Sequence, residues 1–192
     1  MYQWDRALYT EELIFPENLM DAFTPAKLNS GDAVSYGFGW QVRKFLGLNV
    51  VSHGGSWIGF RTFIQRFPEQ KFKLVILSNL AQMAVKGLAS QISKIFLRDK
   101  MMFPVAIKVD SKVLQEYMGR YEVAWGIGGK ISGDRTSLFL KQPDGTQWRL
   151  LAEAPDKFFL DGREEESVTF NRDQNGKVIS LRLAGITVKK IE

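Results

Sequence analysis

From about residue 119 to the end, turn-forming groups break the chain at short intervals: SGDR, PDG, APD, DGREEE and DQNGK, with a further break at Gly185. The runs between them are too short for a helix to bury a face, so this tract reads as strand and turn. Candidate strands fall at 120–124, 127–132, 136–141, 146–152, 156–160, 166–171, 178–183 and 185–191. About eight short strands with regular turns predict a small all-β barrel or sandwich. Trp125, Phe139, Trp148, Phe158, Phe159 and Phe170 are expected to fill its interior, leaving no ligand cavity.

The first half has a different texture. TEELIFPENLMDAF suggests short helical pieces broken at Pro16, with a helix start at Thr10. YGFGWQVRKF, GLNVVSHGG, GFRTFIQRFP and KFKLVILSN follow as strands at the spacing of an antiparallel meander. The last is almost continuously apolar and is expected to be buried on both faces. A helix over about 82–97 then places Val85, Leu88, Ile92, Ile95 and Phe96 on one stripe, which is expected to pack on the sheet. Pro104 ends that helix, and a short new one begins at Asp110 or Ser111. The fold class is therefore α+β, an antiparallel sheet with a packed helix followed by the barrel or sandwich. The boundaries are 1–103, a linker over 104–110, and 111–192.

Cysteine is absent and there is one histidine, so thiolate chemistry and a Cys- or His-rich metal site are excluded; no metal or cofactor is expected. The formal charge is +5, but the basic residues are scattered along the chain and form no stripe. No nucleic-acid partner is expected. No apolar run approaches the roughly 20 residues of a membrane helix, and MYQWDRALYTEELIF is no signal peptide.

The single histidine lies in VVSHGGSWIGF, at the mouth of a strand, directly before Gly54 and Gly55. Taken alone, a histidine beside a turn is more often a structural or surface residue than a catalytic one. Tyr36, Trp40 and Trp57 likewise read first as packing residues, and Gly54-Gly55 as a bulge.

With its neighbours the stretch says more. The ordered pieces YGFGW, SHGGSWIGF and LVILSN, preceded by WDRAL and TPAKL, resemble the C-terminal part of the serine β-lactamase-like family, which includes class C β-lactamases and penicillin-binding-protein-related hydrolases. The match runs over about residues 1–98. YMGRY and GKVISLRL resemble the small, lipocalin-like β-barrel appended to many members. The resemblance implies a partial β-lactamase-like fold in 1–103. It also implies that His53-Gly54-Gly55 stands where members carry a Lys-Thr-Gly or His-x-Gly triplet, on a strand walling the active site. Glycines there let a flat acyl substrate lie against the backbone. Ser56 would offer its N–H as an oxyanion-hole donor, and His53 would hold the polar network and bind the substrate's carboxylate or carbonyl side.

The family's nucleophile motif, Ser-x-x-Lys, is absent: no serine here has lysine three residues later. Tyr-x-Asn and Tyr-x-Ser are absent too. Only about 52 residues precede His53, too few for the missing helical domain and N-terminal strands. The expectation is a C-terminal fragment of a serine hydrolase acting on small-molecule amides or esters through an acyl-enzyme, inactive by itself. Residues 71–78 then form an edge that pairs with another strand, so self-association is expected. The parent's compartment is left open, with periplasm or secretion compatible with the resemblance. The alternative is a non-catalytic binding or interaction protein that uses the β-barrel.

Overall fold

The computed structural model describes residues 1–29, 31, 33–122, 128–134, 136–183 and 185–191. The chain divides into two compact units, Met1–Met102 and Phe103–Glu192.

The first unit is built on four antiparallel strands in sequence order: β1 (Gln41–Phe45), β2 (Leu48–Trp57), β3 (Phe60–Phe67) and β4 (Phe72–Ser78). Two tight hairpins set their register. Leu46 and Gly47 join β1 to β2 at φ 48° and 86°, and Ile58 and Gly59 join β2 to β3 at φ 24° and 87°. Positive φ at both central residues matches the twist of the flanking strands.

Alternation along the strands gives this sheet two distinct faces. One carries Phe45, Val50, Phe63, Gln65 and Phe67, all buried. Helix α3 (Val85–Phe96) lies on it, with Gln65 Nε2 donating to Ser93 Oγ at 3.1 Å and the rings of Phe72 and Phe96 stacked at 5.7 Å. The other face carries Val51, Ile64 and Arg66. Two short helices cover part of it, α1 (Tyr2–Ala7) and α2 (Pro16–Ala22), together with Trp40 and Phe23. Asp5 on α1 is 1% exposed and bridges Arg66 Nε at 2.6 Å and Lys73 Nζ at 2.5 Å.

Three expectations need correction here. Pro16 starts a helix at its first position, where its missing N–H costs nothing. The side of α3 that is buried consists of Ala89, Ser90 and Ser93, while Ile95 and Phe96 are 75% and 70% exposed. Small residues let the helix sit close to the sheet, and this rotates the apolar stripe partly outward. Strand β4 is an edge strand of intermediate burial, with Leu77 68% exposed, because no further strand pairs with it among the described residues.

The second unit is a closed antiparallel barrel, which decides between barrel and sandwich. Its strands are β5 (Gly119–Glu122), β6 (Gly128–Gly133), β7 (Leu138–Lys141), β8 (Gln147–Ala154), β9 (Lys157–Leu160), β10 (Arg163–Arg172), β11 (Val178–Leu183) and β12 (Ile186–Lys190). Each pairs with its chain neighbour, and β12 pairs with β5 to close the ring. Closure removes the exposed edges that eight short strands would otherwise present. The interior is filled by Tyr121, Ile131, Leu138, Leu140, Leu150, Phe158, Val168, Phe170 and Leu181. Of the expected aromatic residues, Phe158 and Phe170 lie in this core and Trp148 packs against it. Phe139 and Phe159 stand outside that cluster, one position out of phase with Leu138, Leu140 and Phe158. Trp125 and the strand positions at 123–127 lie outside the described residues.

Helix α4 (Ser111–Tyr117) starts at Asp110, whose carboxylate accepts from Lys112 N–H. It delivers Tyr117, 1% exposed, against Phe158 and Phe170. Tyr121 donates to Tyr117 O at 2.7 Å, and Arg172 joins Asp156, Glu116 and Tyr117 in one network. Among the described residues no helix is long and apolar enough to cross a membrane.

Candidate functional site

His53, Gly54, Gly55 and Ser56 all lie in the second half of β2. The register of that strand decides what each presents. β1 pairs with β2 only as far as Gln41 opposite Ser52, whereas β3 accompanies it to Trp57 opposite Phe60. Among the described residues, β2 beyond Ser52 therefore has a neighbour on one side alone. Half of its backbone groups there point out of an open sheet edge.

Which groups these are follows from the two hairpins. A two-residue turn closes on a hydrogen-bonded pair, here Phe45 with Leu48 and Trp57 with Phe60. Hydrogen-bonded and non-bonded pairs then alternate along an antiparallel ladder. Residues 53, 55 and 57 accordingly bond to β3, and residues 54 and 56 turn their N–H and C=O toward the open edge. Both hairpins lead independently to the same phase. The Ser56 N–H is thus a free donor at the rim of the sheet.

Side chains follow the complementary alternation. His53, Gly55 and Trp57 share the face opposite α3, paired with Ile64, Thr62 and Phe60. Ser56 carries its hydroxyl on the α3 side, so it does not meet the imidazole. His53 is exposed, and its Nε2 is 3.0 Å from Tyr36 Oη, with the two rings edge to face at 6.2 Å. Beyond it the face is open and apolar, with Trp57 74%, Phe60 55% and Leu77 68% exposed.

The two glycines have different local reasons. A Cβ on Gly55 would come within 2.4 Å of Thr62 Oγ1, so the cross-strand neighbour fills that space. A Cβ on Gly54 would make only ordinary contact with Phe63, at 3.5 Å.

Tyr36 is the residue that sequence reading missed as a partner. It sits in YGFGW, which folds back on itself: Gly37 N–H donates to Trp40 O, and Val42 N–H to Ser35 O. Gly37 is required there, because a Cβ would lie 2.2 Å from Ala22 O. The glycines flanking Phe38 were the available signal: Gly37 marks the close backbone approach, and Gly39 takes a positive φ of 76° in the turn. Among the described residues no group of three or more Asp, Glu or His converges as metal ligands.

What this geometry can do is hold a planar carbonyl compound. An extended backbone edge offers donors and acceptors, an adjacent hydroxyl–imidazole pair offers polar contacts, and a bare apolar face lies alongside.

Three comparisons bear on this arrangement. Residues 104–192 match a family described as a domain of unknown function, DUF3471. The chain is 27% identical over 169 residues to penicillin-binding protein 4* of Bacillus subtilis (strain 168), covering 83% of this chain and 38% of that protein. Among solved structures, SurE with D-Leu aligns with a TM-score of 0.52 at 16% identity, over 97% of this chain and 46% of that one. The octameric penicillin-binding protein homologue from Pyrococcus abyssi aligns at TM-score 0.45 and 19% identity, over 98% and 45%. The chain thus spans less than half the length of each of these relatives.

Proposed function

Because the chain is related to the C-terminal part of the serine β-lactamase-like, penicillin-binding-protein-related family, we propose that it supplies one wall of an acyl-transfer site in a serine hydrolase. The first unit is then the C-terminal portion of a β-lactamase-like domain and the second an appended lipocalin-like barrel. The substrate is a small amide or ester, and the attacking serine belongs to sequence outside these residues.

The observation that carries this reading is the open edge of β2, with the Ser56 N–H directed out of the sheet beside an exposed His53. In an acyl transfer the serine oxygen adds to the substrate carbonyl, and negative charge develops on the carbonyl oxygen. The Ser56 N–H and the nucleophile's own N–H stabilise that charge without reorganising. Gly54 and Gly55 let the flat acyl group approach the strand. His53, held by Tyr36, orders the polar groups around the leaving side. Departure of the amine or alcohol leaves an acyl-enzyme, which water hydrolyses.

The test uses the chain alone and the chain joined to its in-frame upstream sequence. The chain alone should hydrolyse neither a chromogenic β-lactam nor a nitrophenyl ester; turnover by it would overturn the reading. In the joined protein, Ser56→Pro removes the rim donor and should lower kcat by about 10²–10³. Proline is tolerated there because that N–H is not in the ladder. Ser56→Ala should leave the rate near its starting value, since the hydroxyl faces α3. Equal effects of the two substitutions would show that the rim N–H does not serve the reaction.

A further inference from the structure

Three cations far apart in sequence meet on the barrel. Arg120 on β5 stands directly opposite Lys130 on β6, and Lys130 directly opposite Lys141 on β7. Adjacent strands lie about 4.8 Å apart, so the three positions form a straight row across three strands. All three residues are exposed, and their chain neighbours Tyr121, Ile131 and Leu140 point into the core.

Like charges placed directly opposite each other on a sheet repel and cost stability. Glu122 holds Arg120, at 2.9 Å. Among the described residues neither Lys130 nor Lys141 has an anionic partner. The repulsion between them is left standing in the free protein, and a bound anion would relieve it.

A second observation points to the same place. A depression of about 420 Å³ is bordered by these three cations and by Glu122, the carboxylate that holds Arg120, together with Gly128, Gly129 and Gln142. Its glycines carry no side chain into it. A Cβ on Gly128 would lie 1.8 Å from Tyr121 O, and one on Gly129 would lie 3.0 Å from Lys141 O. The close approach of β5 and β6 therefore requires a bare position at Gly128 on the outer face beside the charges, while Gly129, opposite Tyr121, faces the core. Among the described residues the lining offers no exposed aromatic ring. Recognition is of charge and spacing.

We infer that Arg120, Lys130 and Lys141 form a docking row for a linear phosphate-bearing polymer on the outer wall of the barrel. The polymer lies across the strands, its successive anionic groups meeting the three cations in turn. All three residues belong to the second unit, and the inference does not depend on the hydrolase reading.

The experiment titrates the 192-residue chain with labelled long-chain inorganic polyphosphate. Between 50 and 200 mM salt, binding should weaken about threefold for each engaged cation. The double variant Lys130→Gln/Lys141→Gln should bind at least roughly tenfold more weakly at 50 mM, the loss expected when two of three contacts are removed. Its circular dichroism should be unchanged, since both side chains are on the surface. Lys112→Gln, on α4, should bind as the parent chain does. Absence of binding, or a double variant that binds like the parent chain, would overturn the proposal. So would binding to phosphatidylglycerol vesicles without binding to polyphosphate, which would assign the row to a lipid surface.

Discussion

Asp5 shows how much one side chain decides in the first unit. It lies on a helix of six residues, too short to hold its own shape in water. What fixes that helix to the sheet is a carboxylate 1% exposed between Arg66, also 1% exposed, and Lys73. Tyr9 and Phe23 cover the Arg66 guanidinium at 4.8 and 5.6 Å. Asp5→Ala would leave a buried arginine without its anion, at a cost of about 3–5 kcal/mol. Urea denaturation followed by tryptophan fluorescence should show that drop; a loss below about 1 kcal/mol would mean that water reaches Arg66 freely. Nothing in the run WDRAL marks Asp5 as buried, because its partners come from strands some sixty residues away. His53 is the opposite case. Its rarity and its glycine neighbours singled it out in the sequence, while its contact with Tyr36 depended on the fold-back of YGFGW.

Elements show where patterning succeeds and where it misleads. The antiparallel meander was legible from strand spacing, but its register was not: the two-residue turns at Leu46-Gly47 and Ile58-Gly59 set it in the structure and fix the phase of β2. Helix α3 was legible as a helix but not in its orientation. Apolar periodicity names the residues able to pack; Ser93 bonding to Gln65 decided which ones do. β4 was legible as an apolar strand, and the structure leaves it at the edge of the sheet. Such an edge recruits another strand. Antiparallel pairing of two copies about Val75 would set Leu77 of one against Lys73 of the other. Sedimentation velocity should therefore show association that grows with protein concentration. Leu77→Lys, at an exposed position, should suppress it by opposing two lysines. A single species at all concentrations would show that this edge stays in water.

At the scale of the whole molecule, the barrel's stability is tied to two buried phenols. Burial raises the pKa of Tyr117 and Tyr121 above the usual phenol range. The folded state thus holds both protons more tightly than the unfolded chain. Their contribution is complete below about pH 10 and is lost as pH rises through the raised folded values. Urea midpoints measured upward from pH 8 should fall beyond about pH 10; a flat profile would mean the phenols are solvated. The sequence by itself determined the elements and their alternation. Turn residues and short apolar runs act locally, so the succession of short strands and a histidine at a glycine-rich strand mouth were readable in order. It also determined that no Ser-x-x-Lys pattern occurs in these 192 residues. Only the tertiary structure decided what stands beside what. Barrel closure, the Tyr36–His53 contact, the direction of the Ser56 N–H and the alignment of Arg120, Lys130 and Lys141 each depend on strand pairing. Pairing joins residues far apart along the chain, and a charge that looks scattered in one dimension becomes a row when three strands lie side by side.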